Sequence, residues 1–281
     1  MSLSKDCLRR EQISYMNNQL NQSFHSFNHL QKGISGSSLK LFALVTMLID
    51  HIGASCMLYY MRFHLVSGQF HNIYSILRSI GRISFPIFIF LLIEGLYHTR
   101  NVGRYLLRLL IFCFVSELPF NLAFSYRMFD PDHQNVFFTL FIGLTAVAAI
   151  RFLHHHFHVP ETILPNIQNI PAYKYIPLYL IDLAIAISAM ALAHFLKTDY
   201  EWVGVLAIFI AYLLHSFPTT QMWLVCLVLL FSGSLEIYSL FCIPLISCYN
   251  GRRGNLPGWF AYLFYPLHLL LLWAISTQLL I

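Results

Sequence analysis

The chain has 281 residues, of which 58% are hydrophobic and only 10% are charged, and its mean hydropathy is +0.64. This composition excludes a soluble globular protein and indicates an integral membrane protein that contacts the lipid bilayer. The formal net charge of +5 fits cytoplasmic loop lysines and arginines better than a nucleic-acid partner, because no basic tract is present.

The first 38 residues form a polar lead, which we separate from a transmembrane domain over residues 39–281. Apolar residues recur at helical spacing within this lead, which predicts either a helix lying on the membrane surface or a disordered segment. The residues at this spacing are Ile13, Met16, Leu20, Phe24 and Phe27.

Apolar segments then recur almost to the C-terminus and predict an all-α, polytopic membrane helix bundle of about nine transmembrane helices. The seventh and eighth segments are short, so a re-entrant hairpin or one bent segment is an alternative for that region. The predicted spans cover residues 39–60, 73–97, 103–125, 135–153, 176–196, 202–217, 219–232, 236–249 and 259–280.

The distribution of basic residues predicts the orientation of the bundle. Nine spans with a cytoplasmic N-terminus place twelve lysines and arginines on the inner side and four on the outer side, with Arg82 inside the membrane. Eight spans would move Arg252 and Arg253 outside and weaken the split to ten against six. We therefore predict nine spans in the inner (plasma) membrane. The four outer residues are Arg62, Arg78, Arg127 and Lys197.

A short set of ionisable residues falls deep within the predicted spans. A charged side chain at the centre of a membrane helix costs about 2.5–3.5 kcal/mol, so such residues indicate a functional site or a buried ionic contact. Those on the first three spans could converge on one polar cavity. The set comprises Asp50, His51, Arg82, Glu94, Glu117 and Asp182.

His51 is the candidate general base, because a neutral imidazole beside a carboxylate suits proton abstraction. Asp50 is its neighbour in sequence and points about 100° away on a helix, so Asp50 is poorly placed to orient the ring. We therefore predict that Glu117 orients His51 and that Asp50 neutralises Arg82. The alternative is an ionic cluster that only holds three helices together.

Basic residues near the predicted cytoplasmic face are candidates for binding the phosphates of an acyl-coenzyme A donor. Lys40 precedes His51 by eleven residues, about 16 Å along a helix, which is comparable with the pantetheine arm of coenzyme A. Arg252 and Arg253 lie in the turn "NGRRGN". The alternatives are an ordinary membrane anchor for Lys40 and an ordinary positively charged loop for the two arginines.

Four further residues complete the predicted site. Glu94 and His98 are four residues apart at the inner end of the second span and join the donor-side candidates. Asn121 and Asn135 are predicted to line the outer half of the cavity, where they could bind an acceptor hydroxyl or amine. No metal is expected, because the run "HHHFH" at residues 154–158 lacks the partner spacing of a structural zinc site.

Six short segments of the sequence are distinctive: "MLIDHIG", "GRISFPIFIFLLIEGLYHTRN", "SELPFNLAF", "QNVFFTL", "YNGRRG" and "FYPLHLL". Together they resemble the TraX family of membrane acetylases over most of residues 39–275. The spacing of Lys40 and His51 also resembles an Arg/Lys-x10-His motif of the broader acyltransferase-three superfamily. The polar lead lies outside this resemblance, and Asn121 stands where the family pattern has an aspartate.

The resemblance implies an acetyltransferase that uses acetyl-coenzyme A from the cytoplasmic side. The implied acceptor is a surface glycan hydroxyl or amine, or the amine of an exported peptide, reached from the membrane or its outer face. Two rivals remain open from the residues alone. A transporter or proton-coupled carrier also uses buried acids and a histidine, and a scaffolding subunit would need the charged cluster only for folding.

Overall fold

A computed structural model describes residues 33–157, 159 and 176–278, so the prediction for the polar lead falls mostly outside the described residues. Nine helical segments occur in the described part of the chain, and each corresponds to one predicted apolar segment. They are α1 (Gly36–Phe63), α2 (Gly68–His98), α3 (Val102–Phe124), α4 (Val136–His156), α5 (Ile176–Phe195), α6 (Glu201–Leu213), α7 (Pro218–Ser232), α8 (Ser234–Ser247) and α9 (Gly258–Gln278).

The predicted all-α polytopic bundle is confirmed. Six of the helices are long and apolar enough to cross a membrane, namely α1 to α5 and α9. The helices α6, α7 and α8 are shorter, as expected for α7 and α8 from their short apolar segments. At 1.5 Å per residue, the 13 residues of α6 extend about 20 Å, less than the hydrocarbon core of a typical bilayer.

Two of the long helices are irregular where they carry charged residues. In α1, regular helix ends at His51 and a π-helical turn follows over Ile52–Met57. In α2, regular helix stops at Gly81 and resumes at Ser84, and Arg82 lies in the break. Pro86 has no amide hydrogen to donate to the carbonyl of Arg82, which is consistent with the interruption of regular helix at this point.

Hydrogen bonds between loops show that the chain alternates between two ends of the bundle. At one end, Ile34 N donates to Cys248 O at 2.8 Å, and Gly36 N donates to Arg252 O at 2.8 Å. At the other, Gln134 N donates to Lys197 O at 3.0 Å. We call the first end, with residues 33–40, 98–104 and 248–258, the basic end, and the second, with residues 124–135 and 196–200, the opposite end.

The second half of α2 forms the centre of the core. Its residues Ile87, Ile89, Phe90 and Ile93 are at most 1% exposed, because α1, α4, α6 and α8 all pack against this segment. By contrast, only 17% of the apolar window of α5 is buried, so α5 lies at the periphery. The central position of α2 brings the charged residues of its break into contact with α1 and α8.

We predict that the basic end faces the cytoplasm, because it carries Lys40, Arg100, Arg104, Arg252 and Arg253. In a background without native cysteines, an impermeant thiol reagent added to intact cells should label Met128→Cys and leave Asn255→Cys unlabelled. Both positions are exposed loop residues at different ends. Labelling of Asn255→Cys from outside the cell would show the orientation to be reversed.

Candidate active site

Four charged side chains from three helices form one buried network, which we call the charge cluster: Asp50, Arg78, Arg82 and Glu236. Arg78 Nη1 donates to Asp50 Oδ2 at 2.5 Å, and Arg82 Nη2 donates to Asp50 Oδ1 at 2.9 Å. Arg82 Nη1 donates to Glu236 Oε1 at 2.9 Å. Two cations and two anions balance, so neither arginine is left as an unpaired charge in a poorly hydrated site.

The predicted pair between Asp50 and Arg82 is confirmed, but the cluster is larger than the sequence indicated. Arg78 was assigned to the outer loops, whereas it lies one helical turn before Arg82 and shares Asp50 with it. Glu236 was missed, although it is the one acidic residue of α8. Its side chain is only 3% exposed, which in an apolar helix is the mark of a paired charge.

His51 pairs with a residue that sequence reasoning did not select. Its Nδ1 lies 2.7 Å from Nε2 of His268 on α9, and the two rings are parallel with centroids 5.0 Å apart. The rings of Phe124 and Tyr265 pack edge-on against His51, with centroids 5.2 Å and 6.0 Å from its ring. The prediction that Glu117 orients His51 was therefore wrong.

Glu117 instead binds the two predicted acceptor-binding asparagines. Asn135 Nδ2 donates to Glu117 Oε2 at 2.6 Å, and Asn121 Nδ2 donates to Glu117 Oε1 at 3.3 Å. Asn121 lies one helical turn after Glu117 on α3, and Asn135 is fixed beside it because its side chain caps α4 by accepting from Phe137 N at 3.0 Å.

The asparagines do not occupy the position expected of acceptor-binding residues. Both Asn121 and Asn135 are 0% exposed, and neither lines the two cavities around His51 and Lys40. This is a correction to the predicted role, since both amides are fully buried, bind the Glu117 carboxylate and line neither cavity. The Glu117 unit joins α3 to α4.

Two adjoining cavities meet beside His51. A polar cavity of about 960 Å³, including its mouth, is lined by His51 and by Asp50, Arg78 and Arg82 of the charge cluster. An apolar cavity of about 740 Å³, including its mouth, is lined by Lys40 at the basic end and by Tyr105 and Tyr262. The residues common to both linings form a collar between the cavities. They are Met47, Phe85, Phe88, Val136 and Tyr265.

The predicted donor-side residues divide into two groups. Lys40 lines the apolar cavity, and the charge of Arg253 acts on it. The guanidinium of Arg253 lies beside Gly258, another lining residue, because one of its nitrogens is 3.4 Å from the position that a Cβ on Gly258 would take. The turn that carries Arg253 is held against the start of α1, because Ser37 Oγ donates to Arg253 O at 2.9 Å. Both Arg252 and Arg253 are exposed at this end and neither lines a cavity, so Arg253 differs from Arg252 in that its charge acts on Lys40.

Both carboxylate oxygens of Glu94 already contact side chains of this protein. His215 Nε2 lies 2.9 Å from Glu94 Oε1, and Tyr249 Oη donates to Glu94 Oε2 at 3.2 Å. His98 Nδ1 lies 3.8 Å from the same Oε2, but its side chain is 68% exposed. Neither Glu94 nor His98 lines a cavity, so the geometry does not support a donor-binding role for this pair.

The mouth of the polar cavity at the opposite end carries a second pair that was not predicted. His133 and Asp199 both line this cavity, with His133 Nε2 4.0 Å from Asp199 Oδ1. Burial raises the pKa of Asp199, and the nearby His133 opposes this rise. Tyr200, the next residue, accepts a weak hydrogen bond from Arg82 Nη1 at 3.4 Å, so this mouth is linked to the charge cluster.

Among the described residues, no group of three or more His, Cys, Asp or Glu side chains is arranged to hold a metal ion. One histidine of the run "HHHFH" pairs with an acidic residue: His154 Nε2 lies 2.6 Å from Asp182 Oδ2. That contact joins α4 to α5 and accounts for Asp182, the remaining ionisable residue that was predicted to lie within a span.

The fold and this site define a polytopic membrane protein that holds a paired histidine beside a charge-balanced cluster. A family model described as TraX protein matches residues 35–276, and the chain therefore belongs to the TraX family. The match begins where the polar lead ends and extends almost to the end of α9.

One curated relative is the probable fimbrial assembly protein FimC, serogroup H1, of Dichelobacter nodosus. It is 32% identical over 120 residues, which are 40% of this chain and 45% of the relative, so this chain spans less than half of the relative's length. No solved structure gives a significant match.

We predict that Gly81→Ala disrupts the charge cluster. A methyl group at this position would overlap the Asp50 side chain, which two arginines hold in place. The overlap should lower the stability of the detergent-solubilised protein by about 1–3 kcal/mol, measured as a lower thermal unfolding midpoint.

Gly68→Ala is the matched control, because it lies at the start of the same helix and a Cβ there meets nothing within 4 Å. Its midpoint should equal that of the wild type. Equal midpoints for both variants would show that the close approach of α1 and α2 at Gly81 is not needed to hold the cluster.

Proposed function

We propose that this protein is a membrane acyltransferase, which moves an acetyl or other small acyl group from acyl-coenzyme A to an acceptor at the other side of the membrane. The observation that carries this proposal is the pair of adjoining cavities, one lined by Lys40 at the basic end and one lined by His51 and other polar groups, whose shared collar includes Tyr265 beside His51. Two differently lined cavities suit two different substrates.

The donor is acetyl-coenzyme A, entering from the basic end. Lys40, which lines the apolar cavity, and its charged neighbour Arg253 bind the phosphates by charge-assisted hydrogen bonds, and the apolar cavity takes the pantetheine arm. Lys40 and His51 belong to one uninterrupted stretch of α-helix, so their separation of eleven positions corresponds to about 16 Å. The thioester then lies at the collar, within reach of the imidazole.

The reaction at the collar is a direct transfer with His51 as the general base. The imidazole takes the proton of the acceptor hydroxyl or amine, whose oxygen or nitrogen attacks the thioester carbonyl. The carbon–sulfur bond breaks, and the thiolate of coenzyme A leaves with the proton from the imidazolium. Asp50 and Arg82 are positioning residues in this scheme, because each is saturated by ion pairs within the charge cluster.

The acceptor enters the polar cavity from the opposite end, past His133 and Asp199. A surface glycan or an exported peptide fits this route. The name of the FimC relative supports an acceptor that belongs to a surface appendage. We propose the inner membrane as the location, since coenzyme A thioesters are cytoplasmic and the acceptor is exported.

The first functional prediction is that His51→Ala lowers acyl transfer by about 10²–10⁴-fold while the protein remains folded, because a general base is lost. Transfer from radiolabelled acetyl-coenzyme A to an envelope extract, by purified protein in detergent without a gradient, measures it. His64→Ala is the control, since His64 follows the end of α1 and is exposed.

This assay also separates the acyltransferase from the two remaining functions, both of which predict no acetyl transfer. A proton-coupled carrier predicts no acetyl transfer in detergent by the wild type. A scaffolding subunit predicts equal activity, namely none, for every variant. Either outcome would contradict the acyltransferase.

The second functional prediction is that Lys40→Gln and Arg253→Gln each raise the KM for acetyl-coenzyme A by about tenfold with little change in kcat. Each removes an ionic contact made equally in the ground and transition states. The effect should shrink in high salt, which screens the contact in the wild type.

Arg100→Gln is the matched control, because Arg100 is an exposed cation at the same end that is not among the charges acting on Lys40. If Arg100→Gln raises the KM as much as the other two variants, the effect comes from the overall charge of the basic end and not from a phosphate site.

A further inference from the structure

The contact between His51 and His268 continues into the backbone of α9. His268 Nδ1 lies 2.8 Å from the carbonyl oxygen of Phe264, one helical turn earlier, and His268 Nε2 lies 2.7 Å from His51 Nδ1. The His268 side chain is packed between Phe264 and Tyr265, and the residue is only 5% exposed. The Phe264 carbonyl, the His268 imidazole and the His51 imidazole are thus joined by two successive hydrogen bonds.

The heavy-atom positions fix which nitrogens carry hydrogen. A carbonyl oxygen only accepts, so the hydrogen between His268 and Phe264 must lie on Nδ1 of His268. A neutral His268 then has a lone pair on Nε2, and the hydrogen of the next bond must lie on Nδ1 of His51. The nitrogen of His51 left with a free lone pair is Nε2.

The neutral form of His268 is the one that its surroundings favour. Its hydrogen bonds run to a carbonyl and to an imidazole, neither of which is anionic. The cationic Arg78 and Arg82 line the same cavity as His51, and their charges are already taken by Asp50 and Glu236. A third cation at His268 would have no counter-ion in this cluster.

We infer that His268 is a positioning residue that holds His51 in the Nδ1–H tautomer, with Nε2 free to take the proton of the acceptor. This inference rests on the proposed acyltransferase function and supplies the orienting group that the sequence had assigned to Glu117. A metal-binding or catalytic histidine is usually oriented through its second nitrogen in this manner. When His51 gains the proton, the same bond becomes charge-assisted and stabilises the imidazolium.

Two substitutions of similar size separate this role from packing. His268→Gln keeps a carbonyl oxygen that can accept from His51 Nδ1, whereas His268→Met fills the space without a strong acceptor. We expect His268→Met to lower kcat for acetyl transfer by about 10²-fold or more, with the KM for acetyl-coenzyme A within about twofold of the wild type. His268→Gln should keep kcat within about tenfold of the wild type.

Thermal unfolding of both variants in detergent completes the comparison. Equal losses of kcat in the two variants, with equally lowered unfolding midpoints, would mean that His268 only fills space, and the inference would fail.

A spectroscopic measurement tests the pairing without turnover. In protein labelled with nitrogen-15 at histidine, the His51 signals are identified by their loss in His51→Gln. The wild type should show a protonated Nδ1 and an unprotonated Nε2 for His51, and His268→Met should lose this fixed tautomer. A wild-type His51 protonated at Nε2 would overturn the inference. The expected tautomer together with no acetyl transfer would refute the proposed function and leave the pairing intact.

Discussion

The structure depends on how one carboxylate is satisfied inside an apolar bundle. Asp50 accepts from Arg78 and Arg82 of α2, and Arg82 reaches onward to Glu236 of α8. Since removing one member would leave an uncompensated buried charge, the cluster fixes α1, α2 and α8 relative to one another. Gly81 permits this contact, because a side chain there would occupy the space of Asp50. The position of His51, the next residue along α1, follows from it.

The irregular backbone lies beside these charges for a physical reason. Arg82 sits where α2 leaves regular helix, and His51 sits where α1 passes into a π-helical turn. Such departures from regular hydrogen bonding are tolerated at membrane depth where the backbone is buried in protein or lines a cavity. Both residues line the polar cavity, so the backbone there does not have to satisfy all of its hydrogen bonds within a regular helix.

In the proposed reaction, the collar between the cavities would let one imidazole serve two substrates of different chemistry. Its aromatic and aliphatic side chains separate a chamber reached from the basic end from one reached past Asp199. In the proposed reaction, only the acyl group and the attacking atom must meet at the collar. The bulky remainder of each substrate stays on its own side, which keeps coenzyme A and an exported acceptor apart.

The sequence by itself determined the class of protein, the apolar segments, the pairing of Asp50 with Arg82 and the choice of His51 as a residue to explain. These follow from local rules: the cost of charge in a bilayer and the geometry of a helix. Only the tertiary structure decided the partners of the remaining groups. His51 and His268 are 217 residues apart and Arg82 and Glu236 are 154 apart, so no helical spacing relates them. Glu117 was expected at His51 because both were polar and deep in the membrane, yet helix packing turned it towards Asn121 and Asn135, where amide donors satisfy it.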